Sequence, residues 1–434
     1  MSDALCWCPR LFRSGVLDRL KNAYFGWYTV LAGSIIACWG YGCWYYGMSA
    51  LFLPLITEYG WTRAQLSAAF SMRSIEGGLE GPFGGMLIDR YGPRVITVIS
   101  TIISSAGLIL TLFVRDIWQF VIVWGFVVSL GYNLGLYDTV NAAVAKWFVR
   151  RRSFALSMVT VGGGLGGPVI VPVMTWIITE YGWRSALLFV AASTMLICLP
   201  LAWFLIRTHP PEHYGLRPDG DGVRVADAVV GTQDLKADEY DFTTTQALKT
   251  TSFWTLLIAS TLDAGTLAKV TMHQMPFLQG IGVDELAAAG ILGMLATMSL
   301  PSRPVFAWLA DRWSERNTLI LSFVLKALGL LIFMNARTLV DVTLFVLVYG
   351  LGYGGAMPVK HSIRASYFGR RAFATITGYT TLFGALTNIA YPVFAGWSYD
   401  VTGSYSSAFG IIAALQALAV VFMILAKKPK PPKP

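Results

Sequence analysis

The sequence is short of charge. Of its 434 residues only 13% are Asp, Glu, Lys or Arg, about half the ~25% of an ordinary soluble chain. That shortage, beside so much apolar residue, excludes a disordered chain and an ordinary soluble enzyme. Cysteine is scarce too: Cys6, Cys8, Cys38, Cys43 and Cys198. The first two are too close for an ordinary bridge, and the others lie in apolar runs without metal-like spacing. Neither a disulfide framework nor a zinc site is expected. The N-terminal residues lack a sustained apolar core and a small-residue cleavage site, so no removable signal peptide is expected. What abounds is apolar: 55% hydrophobic and 14% aromatic residues, with a mean hydropathy of +0.58.

A spanning helix needs roughly 20 apolar residues. Twelve such segments can be drawn, with cores near 27–55, 64–88, 94–114, 117–147, 153–178, 184–207, 252–279, 286–310, 317–336, 340–366, 372–398 and 405–426. They are far too long for barrel strands, so the expectation is an all-α membrane protein with twelve transmembrane helices. The net charge is +9, but the basic residues sit at the edges of apolar runs. They read as an orientation signal, not as a nucleic-acid surface. One set of loops carries Arg90 and Arg94; Lys146, Arg150, Arg151 and Arg152; Arg312 and Arg316; Lys360, Arg364, Arg370 and Arg371. The alternate loops are short and nearly neutral. The basic set is expected on the cytoplasmic side of the cell membrane, together with both termini.

The organisation expected is a cytoplasmic N-terminal segment (1–26), a bundle of six helices (27–207), a polar cytoplasmic linker (208–251), a second bundle of six (252–426) and a cytoplasmic tail (427–434). The linker is too short and polar to bury a core of its own. The two bundles repeat one another. Pro54 and Gly60 recur as Pro276 and Gly282, shifted by 222. The run from Pro82 through Asp89, Arg90 and Arg94 recurs from Pro304 through Asp311, Arg312 and Arg316 at the same shift. Gly131-Tyr132 recurs as Gly352-Tyr353, shifted by 221, and the segment Arg151–Ala155 as Arg370–Ala374, shifted by 219. An even number of spans per repeat gives halves related by a pseudo-two-fold axis along the membrane normal.

Two such halves and a central linker resemble the major facilitator superfamily. The residues Gly85-x-x-x-Asp89-Arg90-x-Gly92-x-Arg94 are similar to its signature loop between spans 2 and 3. An acid at a helix end with arginines beyond it, present twice, suggests a latch that breaks as the halves rock: Asp89, Arg90 and Arg94 in one copy, Asp311 and Arg312 in the other. The alternative is simple positive-inside anchoring. Lys146-Trp147-Phe148, with Arg150–Ser153 and Gly162-Gly163-Gly164, resembles the start of span 5 in monocarboxylate transporters. His209-Pro210-Pro211-Glu212 and the turn His273–Leu278 are similar to bacterial oxalate/formate antiporter relatives. Arg303-Pro304 in span 8 matches both groups, and the resemblance implies that this arginine binds substrate carboxylate. The chain departs from the pattern at Ser299, where animal relatives carry Asp, at Met48, where they carry Lys, and in span 11, which has neither Lys nor Arg.

Ionisable groups inside spans are functional candidates by default. Arg303 cannot readily deprotonate, and its planar fork fits a carboxylate through two hydrogen bonds; the alternative is a structural ion pair. With no second cation in span 11, one carboxylate is favoured over two. Asp263, opposite Tyr41 in the repeat and near Lys269 and His273, is a candidate proton site; the alternative is a permanent pair with Arg or Lys. In span 2, Glu76 is a second coupling candidate with Glu80 nearby, although Arg73 and Glu76 could simply neutralise one another. Tyr132 and Tyr353, equivalent in the repeat, and Tyr41 offer apolar bodies with one hydroxyl each to a substrate pocket. Tyr379 and Phe383 share a face better explained by core packing. The glycines Gly162–Gly164 and Gly166–Gly167 suit close helix approach, not phosphate binding.

The expected function is secondary transport of a small monocarboxylate, lactate- or pyruvate-like, by alternating access with a proton. The expected partners are a small organic acid, a proton and the lipid bilayer; no nucleic acid and no cofactor are expected, and the chain is expected to be a monomer. A carboxylate exchanger or a carrier of a betaine-like zwitterion would use the same fold, with the aromatics caging the ammonium. A transporter-like membrane sensor without net flux is a different class. An intramembrane enzyme is disfavoured: there is no metal-ligand spacing, no nucleophile with a base, and no recognisable partner for His273 or His361.

Overall fold

The computed structural model describes residues 24–136, 138–220, 240–280, 285–402 and 406–431. The segment before residue 24, with Cys6 and Cys8, and the middle of the linker lie outside the described residues.

The described chain is helical almost throughout: α1 (Phe25–Gly40), α2 (Met48–Tyr59), α3 (Arg63–Tyr91), α4 (Pro93–Thr111), α5 (Ile117–Ile122), α6 (Ser129–Gly135), α7 (Asp138–Trp147), α8 (Arg152–Leu205), α9 (Thr244–Leu248), α10 (Thr251–Gly280), α11 (Glu285–Arg312), α12 (Glu315–Met334), α13 (Leu339–Phe368), α14 (Phe373–Thr402) and α15 (Ser406–Leu425). Local chemistry sets the starts. Thr62 and Gln65 form a capping box before α3, and Thr338 and Asp341 form one before α13, so the first free N–H groups find partners. Asp116 caps α5 by accepting from Trp118 N and Gln119 N at 2.9 and 3.0 Å. The helix α8 is broken at Gly182 (φ 81, ψ 162), a backbone conformation that L side chains disfavour; the break separates the two spans expected there.

Two segments are wound more widely than an α-helix. Tyr41–Tyr46 joins α1 to α2, and Val123–Val128 joins α5 to α6, each as a π-helical turn. Such turns insert an extra residue and re-aim side chains.

Among the described residues, six stretches are long and apolar enough to cross a membrane by length and composition, including 93–111, 152–205 and 315–334. Their outer surfaces are apolar where a soluble protein would be polar: Trp118, Leu196, Phe204 and Val340 are all about three-quarters exposed. One core runs from Val30 to Ile206. Two others lie within Phe242–Ala426. The groups of helices therefore pack internally, α1 on α8 and α12 on α13, and meet each other chiefly through α3 against α14 and α8 against α11. The α3–α14 crossing is close because both helices present glycine. A Cβ on Gly378 would lie 1.9 Å from the carbonyl oxygen of Gly81, and one on Gly85 would lie 2.3 Å from that of Ala374. Gly162 and Gly166 do the same for α8 against α1, where a Cβ would meet the carbonyls of Ser34 and Cys38 at 2.3 and 2.4 Å.

Candidate functional site

Between the two groups of helices lies a cavity in two lobes. The larger, about 750 Å³, is lined by Arg303, Asp263, Lys326, Tyr353 and Thr160 among others. The smaller, about 410 Å³, is lined by Glu80, Asp138, Tyr132, Asn133 and Arg364. Tyr41, Tyr45, Lys360, His361 and Asn388 line both, so the lobes adjoin. Tyr41 and Tyr45 come from the wide turn after α1. Their rings lie 5.7 Å apart, and Tyr45 meets Tyr46 edge-on at 5.1 Å.

Arg303 is 4% exposed on α11. One terminal nitrogen, Nη1, donates to the carbonyl of Thr160 on α8. Nη2 stands 3.5 Å from Ser299 Oγ, one turn earlier, and Nε has no hydrogen-bond partner among the described residues. A guanidinium has five N–H donors, so this one is held in place but far from satisfied. A buried polar group in that condition is costly and well suited to an incoming acceptor.

Asp263, on α10, is the centre of a buried charge cluster. Its Oδ1 accepts from Lys326 Nζ at 2.5 Å and from Gln416 Nε2 at 2.9 Å, and its Oδ2 accepts from Lys360 Nζ. Asp263 and Lys326 are 1% and 2% exposed. Lys360 belongs to α13, eight residues before its end. The expectation that Lys360 and Arg364 mark a loop is corrected here, because α13 carries both into the wall of the cavity. Arg303 is thus accompanied at the cavity by further cations, on helices other than span 11.

Glu76 and Glu80 lie one turn apart on α3. Asn133 Nδ2 donates to Glu76 Oε2 at 2.8 Å, and both Glu80 oxygens are buried. The structure thus gathers Arg303, Asp263, Tyr41 and Tyr353 around one lobe. Tyr132 lies apart. Its ring is stacked on Trp44 at 5.1 Å with 5° between planes inside the first core, and it reaches only the smaller lobe. Tyr379 and Phe383 pack against the core of the second group. The side chains of Arg73, Lys269 and His273 lie outside the described residues.

Sequence reasoning missed Lys326, Lys360 and Gln416 as partners of Asp263. A signal was there: Lys326 and Gln416 are lone polar residues inside otherwise apolar runs, the pattern that marks intramembrane function.

At the end of the molecule that carries the basic loops, the halves are tied together. Asp89 accepts from Ala374 N at 3.2 Å, Thr375 N at 2.8 Å and Thr375 Oγ1 at 2.7 Å. Its repeat partner Asp311 accepts from Ser153 N and Phe154 N, both at 2.9 Å. Each acid caps the first turn of a helix in the other half, where free N–H groups and the helix dipole favour negative charge. The arginines do something else: Arg94 lies over Trp203 at 4.5 Å, Arg90 over Tyr91 at 5.3 Å and Arg312 over Trp308 at 5.8 Å. Arg370 Nη1 adds a bond to Lys146 O at 2.9 Å, and Nη2 one to Glu212 at 2.8 Å. The linker holds the equivalent basic loops, with Asp219 accepting from the backbone N–H groups of Val149, Arg150 and Arg151 and Asp241 from those of Arg370 and Arg371.

The Major Facilitator Superfamily model matches residues 30–386 and again 298–434. The chain belongs to the major facilitator superfamily. Within the superfamily it is related to the monocarboxylate transporter branch. It is 23% identical over 407 residues to monocarboxylate transporter 12 of Rattus norvegicus, covering 88% of this chain and 82% of the relative. With monocarboxylate transporter 13 of Bos taurus it shares 24% over 394 residues, 90% and 86% of the two chains. Solved superfamily structures share the fold: the proton:xylose symporter XylE, with a TM-score of 0.70 at 13% identity over 94% and 97% of the chains, and the human organic anion transporter MFSD10, with 0.68 at 15% over 92% and 99%. The chain is therefore a multi-pass membrane transporter and not an enzyme.

Superfamily membership makes the interhalf caps a candidate gate. With Asp89→Ala and Asp311→Ala combined, each lost cap removes about 1 kcal/mol, so the ratio of the tied to the untied basic end should fall about thirtyfold. Spin labels at Arg90 and Arg371 should report a new, longer distance by double electron–electron resonance. An unchanged distance distribution would show that the caps do not hold this end shut.

Proposed function

We propose that the chain carries a small monocarboxylate, lactate- or pyruvate-like, across the cell membrane with one proton. The single observation that carries this is the incompletely satisfied Arg303 guanidinium on the wall of the central cavity. The names of the related transporters point to the same class of cargo. The twelve spans form two halves, 27–207 and 252–426, that rock about the cavity. The basic loops and both termini face the cytoplasm, so the conformation described is closed on that side.

Charge balance favours the proton. Among the described residues, Arg303, Lys326, Lys360 and Arg364 line the lobes together with Asp263, Glu80 and Asp138. Glu76 lies one layer back, through Asn133. With these groups ionised and His361 neutral, the set has no net charge. One proton shared by Glu76 and Glu80, carboxyls one turn apart, leaves one surplus positive charge, which one carboxylate offsets. Asp263 is the poorer proton acceptor, because protonating it would strand two lysines. Moving the pair together also avoids about 2.3 kcal/mol per 100 mV for an uncompensated charge.

Counterflow in proteoliposomes tests the proposal. Labelled pyruvate or lactate should accumulate against an internal unlabelled pool, and substrate addition should alkalinise the medium. Flux without alkalinisation would favour exchange of two anions; no saturable flux of any short organic acid would sink the carrier.

A further inference from the structure

The two lysines on Asp263 are not equivalent. The Lys326 side chain is 3% exposed and that of Lys360 is 20% exposed. Lys326 Nζ also lies 3.4 Å from the Asp263 carbonyl oxygen and 5.7 Å from the centre of the Tyr349 ring. Gln416 supplies a further donor to the carboxylate. If Lys360 left, Asp263 would keep a charged and a neutral partner, and its burial would remain compensated. Lys360 itself lines both lobes and shares the larger with Arg303. It has somewhere to go, and Asp263 does not need it.

We propose that Lys360 is a second substrate-binding cation, which exchanges Asp263 for the carboxylate of the cargo. The bound carboxylate then lies between the Arg303 fork and the Lys360 ammonium. Charge-assisted hydrogen bonds from both sides hold it, and Asp263 stays with Lys326 and Gln416. The exchange replaces one ion pair by another, so no lysine is left uncompensated at either stage. Asp263 is thereby an internal competitor: it lowers the affinity for cargo and recaptures Lys360 when the cargo leaves. This inference rests on the proposed carboxylate role of Arg303.

The test uses the purified full chain with pyruvate and L-lactate as probes. Lys360→Gln should raise the half-saturating concentration at least tenfold, whereas Lys360→Arg should stay within about threefold of the wild type. Asp263→Asn combined with Lys326→Gln replaces the fixed pair by neutral amides, removes the competitor and should tighten binding several-fold. A purely structural Lys360 would not produce that gain. Exposure is checked without any cargo: in the apo protein a sulfonate-bearing thiol reagent should modify Lys360→Cys and spare Lys326→Cys. Unchanged binding in Lys360→Gln, or equal inertness of the two cysteine variants, overturns the exchange while leaving the Arg303 function intact. Unchanged binding in Arg303→Gln, or no saturable binding of either probe by the wild type, removes the carrier function and this inference with it.

Discussion

Arg303→Lys should abolish saturable carboxylate uptake, lowering it by a factor of at least 100. The substitution keeps one positive charge and the apolar stem but loses the planar fork. A carboxylate matched to two parallel N–H donors would meet a single ammonium that prefers water. The Thr160 carbonyl would also lose its added donor from Nη1, and with it the tie between α11 and α8. A hundredfold loss is about 2.7 kcal/mol, the scale of one charge-assisted, geometrically matched contact. Uptake of labelled pyruvate into proteoliposomes measures it, with the melting transition and gel-filtration profile showing that the variant is folded. Wild-type affinity in Arg303→Lys would mean that the guanidinium is a structural tie between α11 and α8.

The second large effect is on stability. Asp263→Ala should destabilise the protein by about 3–5 kcal/mol, because it leaves the buried charge of Lys326 without a counterion, and Lys360 beside it. Removing the lysines as well should restore most of the loss: a triple variant with Asp263→Ala, Lys326→Met and Lys360→Gln has no stranded charge. Denaturation in detergent, followed by intrinsic fluorescence of the 15 tryptophans, reads both effects. Equal instability of the single and triple variants would show that packing around α10 dominates, not electrostatics.

The repeat made the architecture legible. Asp89 and Asp311 share a spacing because they do the same work on opposite helix starts, Ala374 and Ser153. What the repeat could not reveal was the partner across the cavity. The acids were expected to form a latch with the arginines beside them, yet they bind backbone N–H groups, which leave no mark in side-chain identity. Lys360 was read with a basic loop because Arg364, Arg370 and Arg371 follow it, although it falls within the span drawn at 340–366; α13 runs on to Phe368 and sets Lys360 on the cavity wall. Tyr132 and Tyr353 are equivalent in register but not in surroundings. Trp44 covers Tyr132, whereas Tyr353 lines the larger lobe. Position in a repeat fixes the direction of a side chain, while the neighbours on other helices decide whether it meets cargo.

The wide turn at Tyr41–Tyr46 has a mechanical corollary. Each α-helical residue advances the winding by about 100°, and the extra residue of a π turn is what offsets the face of α1 from that of α2. A shortened chain with one of these six residues deleted would rewind as a regular helix. Either flank could keep its seat in the first core, but not both. The tyrosines that border the two lobes thus lie in the phase adjuster of the first span, so that loss of a single residue there would re-index a whole helix.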